Sequence, residues 1–111
     1  AMPQQESSVM VECGVSYDSN LEKVEFVTQE VAEDVQKSSE AGVKDFKPVV
    51  RFKAFGDSNI NFFVMLRAKT YNDKYLLAHD FIKALKKRYD RESIEISWPV
   101  RKVYYGKQNG Q

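Results

Sequence analysis

The sequence has one cysteine, one tryptophan and one histidine in 111 residues, with five glycines and three prolines. A lone cysteine, Cys13, excludes an internal disulfide framework. So little Gly and Pro excludes a low-complexity chain. An excess of one charge is missing as well: 17 Lys and Arg stand against 16 Asp and Glu, for a net charge of +1. That balance argues against a general electrostatic nucleic-acid binder. The longest strongly apolar run, Phe62-Phe63-Val64-Met65-Leu66, falls far short of the roughly 20 residues a membrane helix needs. No basic start leading into an apolar stretch marks a signal peptide. What is present is 42% apolar residues in a length suited to one domain and one core.

Ala1-Met2 reads as a cloning remnant, and residues 1–8 as a polar lead-in or linker. The last six residues, 106–111, are linker-like and expected to be disordered. The chain is therefore expected to begin partway through a longer protein, with its folded domain over 9–99.

Within that domain, Val9, Val11, Cys13, Val15 and Tyr17 alternate with Met10, Glu12, Gly14 and Ser16, which predicts a strand with one buried face. Ser19 followed by Glu22 forms a capping box and predicts a helix from residue 20 or 21. Leu21, Val24, Val27, Val31 and Val35 then share one arc of about 120° on the helix wheel. Pro48 opens a second strand, with Val50, Phe52 and Ala54 on one side. A turn through Phe55-Gly56-Asp57-Ser58-Asn59 leads into a third, with Ile60, Phe62, Val64, Leu66 and Ala68 inward. The short link predicts an antiparallel hairpin. Asn72 or Asp73 caps a second helix whose apolar side gathers Leu77, Ala78, Phe81, Ile82, Ala84, Leu85 and Tyr89. Ile94, Ile96 and Trp98 make a fourth strand, closed by Pro99. The order predicts an α+β, ferredoxin-like βαββαβ fold: a four-stranded antiparallel sheet with two helices on one face.

Three groups of apolar or strand-forming residues are left over. Phe63 and Met65 lie on the outward sheet face among Arg51, Lys53, Arg67 and Lys69; this is either a solvated face with basic stems laid over the rings or a partner contact. Phe26 falls roughly 160° from the centre of its helix's buried stripe, and Leu76 is similarly off-stripe, which suits a lateral contact. Beyond Pro99, Val100, Arg101, Lys102, Val103, Tyr104 and Tyr105 form an extra strand with no turn back. It either pairs with a sheet edge of its own chain or with the same segment from other copies.

The side chains assemble no catalytic constellation, so an enzyme ranks a distant third among the readings. His79 has no Glu or His at metal spacing, and Cys13 faces the core side as an inert thiol. The segment from Asp57 resembles a calcium loop only until Phe62, where glycine is obligatory, and Ala68, where a bidentate Glu is needed. No Gly-rich phosphate loop is present. Phe62 and Phe63 sit where RNA-recognition modules stack bases, but the Lys/Arg-Gly-aromatic signature is absent. A ferredoxin-like regulatory or RNA-binding module stays as the alternative reading.

Three segments together resemble the small-conductance mechanosensitive channel family. They are Gly14-Val15-Ser16-Tyr17-Asp18-Ser19-Asn20-Leu21-Glu22-Lys23-Val24, Phe55-Gly56-Asp57-Ser58-Asn59-Ile60-Asn61-Phe62 and Ile94-Glu95-Ile96-Ser97-Trp98-Pro99. The similarity runs from about Val9 to Tyr105. Glu92-Ser93 stands where the family commonly has Ala-Gly, Trp98 where Phe is usual, and Val100 where Gln is frequent. The resemblance implies the C-terminal α/β domain of a tension-gated channel, usually a heptamer, that releases ions and small osmolytes on osmotic downshock. It also implies a place on the cytoplasmic side of the inner membrane, in the wall of a vestibule, with the membrane reached through upstream segments. Residues 100–105 would then be the oligomerisation strand. No cofactor, no metal and no nucleic-acid partner is expected.

Overall fold

A computed structural model describes residues 5–97. Three strands and two helices make up this part: β1 (Ser7–Val15), α1 (Leu21–Ser38), β2 (Val49–Phe55), β3 (Ile60–Ala68) and α2 (Asp73–Glu92). The sheet is antiparallel throughout, in the order β1-β3-β2. β3 lies in the middle, and its period-two pattern explains why. Ile60, Phe62, Val64, Leu66 and Ala68 are all buried, while the residues between them are half-buried. A strand covered on one face by helices and flanked on both edges shows that alternation most cleanly.

The helices supply the facing side of the core. α1 contributes Val24, Val27, Thr28, Val31, Ala32, Val35 and Gln36. α2 contributes Leu77, Phe81, Leu85 and Tyr89, four residues at successive i+4 steps. Two polar links join the helices to each other. Thr28 Oγ1 and the Tyr89 hydroxyl share a hydrogen bond between the helices. Ser39 Oγ donates to Asp80 Oδ2 at 2.7 Å, tying the exit of α1 to the middle of α2.

Several expectations need correction. Ser7 and Ser8 belong to β1, paired with Ala68 and Arg67, so the lead-in is shorter than eight residues. Asn20, not Ser19, caps α1: its Oδ1 accepts from the N–H groups of Glu22 and Lys23. Ser19 is already committed to the preceding turn, where its N–H donates to the Ser16 carbonyl. Tyr17 lies beyond β1 and is exposed rather than inward. Ile82 is exposed: the core contact of α2 runs along Leu77, Phe81, Leu85 and Tyr89 with Ala78 and Ala84 beside them, and Ile82 lies outside it. At the end of α2, Ser93 takes φ 59°, the left-handed region that favours glycine.

Three strands, not four, are formed among the described residues. The expected fourth strand is represented by one antiparallel bridge, Val15 to Ile96, and by the Ser97 N–H donating to the Gly14 carbonyl at 2.9 Å. Trp98 and Pro99 lie outside the described residues. The first of those contacts still places the segment after α2 beside β1, on the edge opposite β3.

Candidate interaction surface

The sheet face away from the helices is built by cross-strand rows, and the pairing register decides which side chains meet. Phe63 stands between Glu12 on β1 and Arg51 on β2. Met65 stands between Met10 and Val49. Arg67 lies opposite Ser8. The face thus carries an apolar middle of Met10, Val49, Phe63 and Met65 with charge around it.

That charge is less one-sided than the sequence suggests. Lys53 Nζ pairs with Glu12 Oε1 at 3.3 Å, reaching across from the irregular step between Phe52 and Ala54 in β2. Arg67 Nη1 pairs with Glu6 Oε1 at 3.3 Å, and its guanidinium sits 4.9 Å from the Phe46 ring centroid. Two carboxylates therefore stand among the four cations. Both pairs are substantially exposed, so each contributes little to stability. Arg51 is exposed with a guanidinium N–H on the Val50 carbonyl. Lys69 lies past the end of β3, beside the Gly42–Ala68 bridge, away from the Phe63 row.

On the helix side, Phe26 is 67% exposed and Leu76 is 44% exposed, as the wheel predicts. Pattern reading missed two exposed aromatic pairs. Tyr17 and Phe55 stack with centroids 6.4 Å apart and rings 6° from parallel. Tyr71 and Tyr75 meet edge-on at 6.5 Å, with Lys74 Nζ 4.7 Å from the Tyr71 centroid. Tyr71 and Tyr75 were detectable at i, i+4 spacing. Tyr17 and Phe55 were not, since only the tertiary fold brings them together. The extra strand, residues 100–105, lies outside the described residues.

The family-like segments converge on one end of the sheet. A Cβ on Gly14 would stand 2.9 Å from Asn59 Nδ2 and 3.3 Å from the Ser97 carbonyl; one on Gly56 would stand 2.8 Å from Asn59 Oδ1. The Tyr17 hydroxyl donates to the Gly56 carbonyl, and the Gly56 N–H to the Asn59 carbonyl. Close packing around a buried Asn59 is what these residues do, and a side chain at either glycine would press on Asn59.

The described residues hold no group of three or more His, Cys, Asp or Glu able to bind a metal ion. Cys13 is half-buried, and burial, with the Glu12 charge second, pushes its thiol up to about 11. A thiol held protonated is a poor nucleophile at neutral pH. Burial likewise pushes the Tyr89 hydroxyl well above its ordinary range, against the opposing hydrogen bond from Thr28. Among the described residues no helix is long and apolar enough to cross a membrane.

Comparison with known proteins then gives the geometry a context. Residues 9–96 match the family described as mechanosensitive ion channel MscS, C-terminal. The small-conductance mechanosensitive channel MscMJ of Methanocaldococcus jannaschii is 27% identical over 103 residues, which are 91% of this chain and 29% of that protein. The closed-state crystal structure of Helicobacter pylori MscS superposes with a TM-score of 0.66 at 23% identity, covering 88% of this chain and 37% of that one. The cryo-EM structure of Arabidopsis thaliana MSL1 gives a TM-score of 0.66 at 9% identity, covering 85% and 34%. At those identities the two structures show the shared fold. The chain spans about a third of the length of these proteins.

Proposed function

Because this chain belongs to the MscS mechanosensitive ion channel family, through its C-terminal domain, we propose that it is the vestibule-wall domain of a tension-gated channel. The observation that carries this reading is the extent of the match, which runs from β1 to Ile96, through every element of the domain. The family is one of channels rather than enzymes, and neither the regulatory nor the RNA-binding alternative is favoured by it. In this reading the subunits form a homo-oligomeric ring, a heptamer, on the cytoplasmic side of the membrane. Residues 100–105 join sister chains at its base, and Phe26 makes a lateral contact. The fold is ferredoxin-like, with residues 94–98 as the fourth strand; the Val15–Ile96 bridge supports that assignment.

The role of the domain is to hold subunits in register and to condition the solution that reaches the pore. The outer sheet face would look into the vestibule and meet ions and small osmolytes. Its four cations bias the local atmosphere toward anions, but Glu6 and Glu12 weaken that bias at the Arg67 and Lys53 ends. Arg51, which the described residues pair with no carboxylate, should contribute most. Reversing Arg51 and Lys69 to Glu in the full-length channel should shift the reversal potential toward cation preference. The shift should shrink as salt rises, because the Debye length falls from about 10 Å at 0.1 M to about 3 Å at 1 M. An unchanged reversal potential at low salt would remove this face from the conduction path.

A further inference from the structure

The two helices are charged in opposite senses. α1 carries five carboxylates against two lysines, and α2 carries six Lys and Arg against four carboxylates. Part of the difference is used within the domain, where Glu30 pairs with Arg88 and Lys23 with Glu92. Those pairs, with Ser39 on Asp80, mark the flank that each helix turns to the other. The rest of the charge lies on the two outward flanks. On α1, Gln29 Nε2 donates to the Pro48 carbonyl at 2.8 Å, so this flank looks out beside β2. Glu22, Glu25, Phe26 and Glu33 share it with Gln29 at steps of three and four, in a strip roughly 16 Å long. On α2, Ile82 and Lys86 border Val11 and Cys13 of β1, on the opposite edge of the sheet. Tyr75, His79, Ile82, Lys83 and Lys86 make a strip of the same length there.

We infer that the acidic strip of α1 on one copy of this chain docks on the basic strip of α2 on the next. Three observations support the match. Among the described residues Glu22, Glu25 and Lys83 take part in no ion pair, and Lys86 is engaged only by Asp90 in an exposed pair that contributes little. Each strip also holds exposed apolar side chains, Phe26 on one and Tyr75 and Ile82 on the other. The two flanks lie at opposite sides of the domain, so one copy can use both at once. Charge fixes the pairing. α1 against α1 would set carboxylates against carboxylates, and α2 against α2 would set lysines against lysines. The contact is therefore heterologous, and with a rotation between copies it repeats until a ring closes. This inference rests on the channel reading and names the surfaces by which its sister domains would meet. A strip of this length buries less than a free-standing dimer needs. It serves as a register key in an oligomer that other contacts also hold.

The test uses the full-length channel in detergent, treated with a carbodiimide that joins a carboxylate to an amine in contact. Mass spectrometry should find peptides linking Glu22, Glu25 or Glu33 to Lys83 or Lys86. Within one copy these groups stand on opposite flanks, so each such link lies between copies. Raising salt from about 0.1 M to about 1 M should thin the links, because the Debye length falls to about 3 Å. Reversing one flank, by Glu25→Lys with Glu33→Lys or by Lys83→Glu with Lys86→Glu, should cut the oligomer recovered in sedimentation about tenfold. The four changes together should restore both oligomer and links. Far-ultraviolet dichroism should stay constant throughout, since none of the four positions is a core residue. An oligomer with no flank-to-flank links, or a fourfold variant that assembles no better than either reversal, would overturn the inference. Patch recording on the same protein keeps the two readings apart. Tension-gated currents without these links leave the channel reading and remove this contact; links without currents support the contact and remove the channel reading.

Discussion

Gln36 is a polar side chain buried completely in an otherwise apolar layer, and its position is explained by what it satisfies. Its Nε2 donates to the carbonyls of Val43 at 2.9 Å and Arg67 at 2.7 Å, and its Oε1 accepts from the Arg67 N–H at 3.1 Å. One side chain thus clamps the loop after α1 to the end of β3. Gln36→Ala strands the Val43 carbonyl and the Arg67 N–H, while the Arg67 carbonyl keeps the Val43 N–H as donor, and should lower unfolding free energy by about 2 kcal/mol in a urea titration. Cys13 yields a pH dependence. Its thiol moves from an ordinary 9.0 to about 11 in the folded chain, so the folded state holds the proton more tightly than the unfolded one. The stability this contributes is complete below pH 9 and declines between pH 9 and 11, as the unfolded thiol ionises while the folded one resists. Across that window the native chain should lose roughly 2 kcal/mol more than Cys13→Ala, measured by urea unfolding at each pH.

At the scale of elements, the start of α1 separates two readings of the same residues. Asn20→Ala should destabilise by about 1 kcal/mol, whereas Ser19→Ala should change little, both read from thermal or urea unfolding. Sequence pointed to Ser19 through its spacing to Glu22; in the fold the Asn20 side chain takes the Glu22 and Lys23 N–H groups instead. β3 was fully legible, because a central strand covered on one side must alternate. α1 was legible for the same reason, its stripe of valines having one place to go. α2 was legible as a helix but not in the full extent of its contact face, so Ile82 was assigned to the apolar side when it is exposed. The ion pairs of the outer face were invisible for a different reason. Lys53 and Glu12 are 41 residues apart in sequence, and only the strand register brings them together. Ser93 carried a readable signal: a serine at a position commonly glycine in the family now proves to hold a left-handed φ.

For the molecule as a whole, the exposed Phe26 provides a clean probe of assembly. Phe26→Asp removes nothing from the core, so the stability of the isolated domain should stay within about 0.5 kcal/mol of the native value. If Phe26 lies against a neighbouring subunit, the same change should reduce the oligomer recovered from the full-length channel in detergent, measured by sedimentation. Oligomer recovered at native levels would place Phe26 on a solvent face.

The geometry of β1 has a mechanical corollary. Ser7 pairs with Ala68 at one end of this strand, while Ser97 is bonded to Gly14 at the other, roughly 23 Å away at ~3.3 Å per residue. A pull drawing those two points apart runs along the strand axis. The β1–β3 ladder is then loaded in shear, with its hydrogen bonds resisting together rather than being peeled open in succession. β1 is thereby a tie rod, stiff along the line joining the two ends of the described fold.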